Sequence, residues 1–276
     1  MIGRVIVAYD GSALARAAFE HALALAEALK RPMVAVFTLE PVAPPPVIAD
    51  PLVAIDPAPI PNFPVDFAEQ REWGEEALEG LRARAAERGV ALTPVLDEGA
   101  LIDVLVDMAN GDDLIALGKK GRFRESGVGS ATRALVRRSP CPVLVVSEPA
   151  HPPARVVTAF DGTSEGKRAL VYASDIAYLL RWPLEVIALP CEGLDAAQSV
   201  ERAEAALPPE RGEVRVVASS AEGDCAKAIE HALGEQTEGA MVVLGAYGES
   251  WLAELLFGST APKVLRKVAA PIILVR

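Results

Sequence analysis

Apolar and polar positions along this chain alternate between two rhythms. Residues 2–9 form a mostly apolar run of the kind a strand buried on both faces presents, and then Leu14, Ala18, Leu25 and Leu29 recur on one face of a helical wheel. The alternation continues with a strand expected over 32–39, a helix over 65–88, a strand over 90–96, a helix over 100–109, a strand over 113–118, a short helix from Ser130 and a strand over 142–147. After a short linker the same order begins again, with a briefer second helix expected over 194–206 and ended by Pro208-Pro209. Strand-helix alternation of this kind implies an α/β fold with a parallel, doubly wound sheet.

The second half repeats the first. "VIVAYDGSALARAAFEHALALAEALKRPMVAVF" from Val5 aligns with "VVTAFDGTSEGKRALVYASDIAYLLRWPLEVIA" from Val156 at a constant offset of 151, which sets Asp10-Gly11 on Asp161-Gly162 and Pro32 on Pro183. Further along, "LIALGKKG" from Leu114 aligns with "MVVLGAYG" from Met241 at offset 127, and "GSATRALVRRSPCPVLVV" from Gly129 with "GSTAPKVLRKVAAPIILV" from Gly258 at offset 129. Two domains are expected, over 1–148 and 154–276. The fall in offset from 151 to 127 places 24 additional residues in the first half, and Pro41 to Pro64, with nine of the chain's 22 prolines, is where they fit. That stretch suits neither helix nor central strand and is expected to be a partly extended loop.

Composition narrows the function classes. A net charge of -11 argues against a nucleic-acid surface, which needs a basic field. Locally the balance reverses: Lys119, Lys120, Arg122, Arg124, Arg133, Arg137 and Arg138 fall within 20 residues together with the single acid Glu125, which fits either a solvated face or an anion site. Cys141, Cys191 and Cys225 have neither paired number nor CxxC spacing, so a reducing cytoplasm is expected and neither a disulfide framework nor a metal site is indicated. No apolar run is long enough to span a bilayer, and no signal peptide is expected, because "MIGRVIVAYDG" runs straight into strand-like sequence. His21 and His231 fall within helices and His151 in the linker, positions that suggest structural or solvated roles.

The candidate chemistry lies at strand ends. In each half a glycine loop follows the fourth strand: Gly118, Gly121, Gly129 and Ser130 in the first, Gly245, Gly248, Gly258 and Ser259 in the second. Glycines permit close approach to the backbone, loop amides can cradle oxygens, and the helix that begins at Gly-Ser adds partial positive charge. The spacing matches neither GxxxxGK[ST] nor GxGxxG, since Thr132 stands where the latter needs its third glycine. Asp10 and Asp161 end the first strand of each half, ahead of a glycine and the hydroxyl residue Ser12 or Thr163. Each aspartate suits a turn and helix cap, or a carboxylate at a crevice where strand order reverses.

With these residues in place, both halves resemble universal stress protein domains, and the chain as a whole resembles a tandem member of that family. ATP-binding members are similar in carrying GxxG, nine residues, then Gly-Ser; the second half fits, with 249–257 as the nine, whereas the first half has seven, 122–128. The resemblance implies a Rossmann-like five-stranded sheet of order 3-2-1-4-5 in each half, the halves paired through their last strands as an intramolecular pseudo-dimer, with further homodimerisation left open. It implies ATP as ligand, accompanied or not by magnesium, with Asp10 and Asp161 toward the nucleoside, the glycine loops at the phosphates, and adenine met by backbone near Phe37 and Ala188. An ATP-binding stress-response or regulatory protein is therefore expected. The other readings are a slow ATPase or nucleotide-transferring enzyme and a ligand-free interaction module. No paired carboxylates, metal-spaced histidines or GxSxG motif favour the enzyme.

Overall fold

The computed structural model describes residues 2–39, 67–121, 129–147, 153–190, 195–209, 211–219, 225–234, 239–245, 264–265 and 267–276. The proline-rich stretch 41–64 lies outside the described residues, as do Gly248, Gly258 and Ser259.

The first half contains β1 (Val5–Ala8), α1 (Ala13–Leu29), β2 (Met33–Leu39), α2 (Phe67–Glu87), β3 (Leu92–Glu98), α3 (Leu101–Met108), β4 (Leu114–Gly118), α4 (Ser130–Arg138) and β5 (Val143–Val146). The second contains β6 (Arg155–Phe160), α5 (Ser164–Leu180), β7 (Leu184–Ala188), α6 (Ala196–Ala206), β8 (Val214–Ala218), α7 (Cys225–Leu233), β9 (Ala240–Gly245) and β10 (Ile272–Val275), with helical residues at 264, 265 and 267. β1 is shorter than the 2–9 expected, but the order of elements is the one the apolar pattern predicts.

All ten strands form one sheet, ordered β3-β2-β1-β4-β5-β10-β9-β6-β7-β8. Each half has the expected 3-2-1-4-5 order, and within a half every pairing is parallel. The halves meet where β5 and β10 run antiparallel, with Leu144 opposite Ile273, flanked by Val145 opposite Ile272 and Val143 opposite Leu274. Leu144 and Ile273 are repeat equivalents at offset 129, so an approximate two-fold axis passes between them. Both strands are buried throughout, as suits apolar strands covered on two faces. β3 is an outer strand, and Pro94 is tolerated there because its missing N–H breaks no central ladder.

Two cores flank the sheet. One packs α1, α2, α5 and α6 against it, the other α3, α4 and α7. α1 and α5 begin alike, with the Ser12 hydroxyl accepting from Ala15 N–H and the Thr163 hydroxyl from Gly166 N–H, and end alike in left-handed Lys30 and Arg181. The flanks differ. α2 spans 21 residues and α6 only 11. The end of α2 brings Arg84 to Glu20 and Arg88 to Glu27 on α1, whereas the equivalent positions on α5 are Val171 and Tyr178, both exposed.

The joint between the halves holds an unusual pair. His21 on α1 is only 6% exposed, and its Nε2 has no hydrogen-bond partner among the described residues. It lines a small apolar cavity with Leu144 of its own half and Pro153, Trp182, Met241 and Pro271 from beyond it. Its repeat equivalent, 151 residues on, is Tyr172, whose hydroxyl is also buried and also lacks a partner among the described residues. Burial pushes the His21 imidazole below its ordinary pKa, against a smaller upward pull from Glu20.

A pH dependence follows. The folded chain holds His21 neutral more strongly than the unfolded chain does, so its contribution to stability is present above the unfolded value of about 6.5 and is lost as pH falls below it. Between pH 7.5 and 5.5, urea unfolding of the wild type should lose more stability than that of His21→Leu, the excess being at most about 1.4 kcal/mol per pH unit. Equal slopes for the two proteins would show that His21 titrates without cost.

Candidate functional site

The carboxyl ends of β1 and β4 lie side by side, with α1 leaving on one face of the sheet and α4 on the other. This is where strand order reverses and a crevice is expected to open. A cleft is found there, lined by Tyr9, Asp10 and Ser12 after β1, by Gly118, Lys120 and Gly121 after β4, and by Ala131 and Thr132 of α4. Of the first-half residues singled out from sequence, the structure thus brings together Asp10, Gly118 and Gly121. Gly129 caps the N-terminus of α4 beside them and is buried, while Ser130 begins the helix and is exposed.

Asp10 and Asp161 do the same local work. Gly11 and Gly162 take positive φ of 74° and 78°, turning the chain so that each carboxylate accepts the N–H two residues on. Asp10 Oδ1 receives Ser12 N–H at 2.9 Å, and Asp161 Oδ1 receives Thr163 N–H at 3.0 Å and the Thr163 hydroxyl at 2.6 Å. The turn reading of these aspartates therefore holds, and it fixes where they stand: a Cβ on Gly121 would lie 3.1 Å from Asp10 Oδ2, so the carboxylate reaches the glycine loop. In the second half Arg202 of α6 donates to the Gly162 carbonyl at 3.1 Å, a contact with no sequence signal to announce it.

Gly118 and Gly245 have a packing reason to be glycine. A Cβ on Gly118 would lie 2.8 Å from Leu14 Cβ and 3.1 Å from the Leu14 carbonyl carbon, and one on Gly245 would lie 2.8 Å from the Glu165 carbonyl oxygen. Leu14 and Glu165 are repeat equivalents in the first turns of α1 and α5. The bare strand end lets the helix start press directly onto it, which brings the aspartate turn alongside the glycine loop.

The positions expected to meet adenine are sheet backbone. The Phe37 side chain is buried and packs on Trp73 of α2 with ring centroids 5.3 Å apart. The Ala188 carbonyl accepts Ser219 N–H at 2.8 Å, and the next N–H, of Leu189, donates to the Phe160 carbonyl at 2.8 Å. Any base contact there would share groups already closed into the sheet.

Thr132 is the residue that sequence reading noted only for the glycine it replaced. It is 1% exposed, and its hydroxyl donates toward the carbonyls of Gly118 at 3.2 Å and Lys119 at 3.1 Å. Its place three residues after Gly129, in the first turn of α4, is the signal that could have marked it. Among the described residues no group of three His, Cys, Asp or Glu side chains could hold a metal ion, and no helix is long and apolar enough to cross a membrane.

Comparison with known proteins places these features. Residues 1–147 and again 154–276 match the Universal stress protein family. A universal stress protein of Synechocystis sp. is 28% identical over 185 residues, 64% of this chain and 63% of that protein, so the match spans less than two thirds of that relative. One from Mycobacterium tuberculosis is 27% identical over 222 residues, 70% of this chain and 72% of its own. Among solved structures, a universal stress protein from Archaeoglobus fulgidus has a TM-score of 0.73 over 99% of this chain and 98% of its own at 18% identity. A functionally unknown protein from Pseudomonas aeruginosa has a TM-score of 0.57 over 99% and 92% at 16% identity. At such identities the likeness to these structures is one of fold.

The packing role of Gly118 gives a direct expectation. Gly118→Ala forces a methyl group against Leu14 and the backbone of α1, and should destabilise the protein by about 1–3 kcal/mol in urea unfolding. A neutral or stabilising result would mean that α1 shifts at no cost.

Proposed function

This chain belongs to the universal stress protein family, and from that membership we propose that it is an ATP-binding regulatory protein with one adenine-nucleotide crevice in each half. The observation that carries the reading is the cleft at the carboxyl ends of β1 and β4, where Asp10, Gly118 and Gly121 meet beside the N-terminus of α4. In this reading Asp10 and Asp161 face the nucleoside. Gly118, Gly121, Gly129 and Ser130 in one half, and Gly245, Gly248, Gly258 and Ser259 in the other, follow the phosphates. Backbone near Phe37 and Ala188 borders the base. Loop amides and a helix start suit phosphate oxygens. Magnesium, where present, would ride on the phosphates, since the described residues offer no carboxylate cage for it.

Holding a nucleotide is distinct from cleaving it. Backbone amides and hydroxyls stabilise the ground state as well as the transition state, which does not accelerate chemistry. Both motif aspartates are committed to the turns that start α1 and α5. A slow ATPase or a nucleotide-transferring enzyme is the competing reading, and a ligand-free interaction module the third.

Native mass spectrometry of the purified full chain should find adenine nucleotide retained, and calorimetry should find ATP binding. Gly258→Val should weaken ATP binding by at least tenfold, about 1.4 kcal/mol; undiminished binding would remove the glycine loop from the site. Any hydrolysis should run well below the roughly 1–100 per second of kinases. Asp161→Ala should weaken binding and leave the residual rate per bound ATP nearly unchanged. In a single-turnover assay, fast cleavage abolished by that substitution with ATP still bound would instead make Asp161 catalytic.

A further inference from the structure

Each aspartate turn carries an arginine on its far side. In the first half Arg16 Nη1 donates to the Gly11 carbonyl, and in the second Arg202 Nη2 donates to the Gly162 carbonyl at 3.1 Å. The Arg202 guanidinium presses on its turn, for a Cβ on Gly162 would lie 2.8 Å from its Cζ and 3.0 Å from its Nη1. Each carbonyl shares a peptide unit with the N–H that the aspartate accepts: Ser12 N–H, 2.9 Å from Asp10 Oδ1, and Thr163 N–H, 3.0 Å from Asp161 Oδ1. A trans peptide points its C=O and N–H in opposite directions. One plane is therefore gripped by a cation at one end and by an anion at the other, through two charge-assisted hydrogen bonds. Both polarise the peptide in the same sense, so each strengthens the other.

The two arginines are not repeat equivalents. Offset 151 carries Arg16 of α1 to Lys167 of α5, whereas Arg202 reaches its turn from α6. The same place is filled from two directions, so what the halves share is a guanidinium on that carbonyl and not the position that supplies it. The turn chemistry gives a reason. Glycine leaves the peptide that follows it free to rotate at little cost, and rotation would carry the N–H away from the carboxylate. We propose that Arg16 and Arg202 are positioning residues, which lock the Gly11–Ser12 and Gly162–Thr163 peptides and so hold Asp10 and Asp161 in one orientation each. The inference rests on the nucleotide-binding reading for its consequence: a carboxylate held in place meets the nucleoside without first being ordered, and ATP binds its half more tightly. Neither arginine has to touch the ligand.

The test uses the full chain, isotope-labelled for NMR, with the Ser12 and Thr163 amides each reporting its own half. Both arginine side chains are exposed, so truncating either leaves the core intact. Without ligand, Arg202→Ala should quicken exchange of the Thr163 amide about two- to tenfold, the worth of one hydrogen bond, and leave Ser12 as it was. Arg16→Ala should do the reverse. As ATP is titrated, Arg202→Ala should raise the midpoint read at Thr163 by a similar factor and leave the midpoint read at Ser12 unmoved. Lys167→Arg, added to Arg202→Ala, puts a guanidinium where the first half has its own, and should restore both the exchange rate and the midpoint. Unchanged exchange at Thr163, an unmoved midpoint there, or failure of Lys167→Arg to restore either would overturn the proposal. If exchange responds as stated but neither amide shifts with ATP, it is the nucleotide reading that fails, and the part of the arginines in affinity fails with it.

Discussion

The antiparallel pairing of β5 with β10 is the contact on which the architecture depends. Each is a four-residue apolar strand at the edge of its own five-stranded sheet, and an edge of that kind left open is a template for association with other chains. Pairing them closes both edges at once, hides the backbone groups and joins two sheets into one. The rest of the interface follows from it. With Leu144 set opposite Ile273, α1 and α5 come together above the joint, and His21 and Tyr172 are placed at its two symmetric flanks. Their buried polar atoms are tolerated because so much apolar surface is removed from water around them.

Duplication has preserved the parts that position the crevice and released the others. Asp10 and Asp161 close the same turn, Gly118 and Gly245 admit the same helix start, and Lys30 and Arg181 end equivalent helices in the same left-handed conformation. Divergence appears where only one half has a partner for a surface. Glu20 and Glu27 are met by arginines from the long α2, and their counterparts above the short α6 have become Val171 and Tyr178. Exposed ion pairs of that sort contribute little to stability, which leaves such positions free to change.

Much of this was legible in the sequence. Constant offsets revealed the duplication, the two rhythms of apolar residues ordered the elements, and the turn chemistry of Asp10 and Asp161 was one of two readings open from the start. Less was legible where a residue's role depends on the path of a loop or on the other half. Thr132 looks like an ordinary early helix residue until its hydroxyl is seen on the carbonyls of Gly118 and Lys119. His21 looks like any helical histidine until Trp182 and Met241 close over it from beyond the joint. Gly118 and Gly245 were assigned by sequence to ligand approach alone, because a glycine records that space is needed and not what fills it.

The direction of the strands across the joint has a geometric outcome. Because β5 and β10 run opposite ways and each half is parallel within itself, the carboxyl ends of β1 and β6 point to opposite rims of the common sheet. The turns of Asp10 and Asp161, which follow those ends, therefore stand at opposite poles of one body. On the nucleotide-binding reading proposed above, a ligand held in one half would lie on the far rim of the sheet from a ligand held in the other.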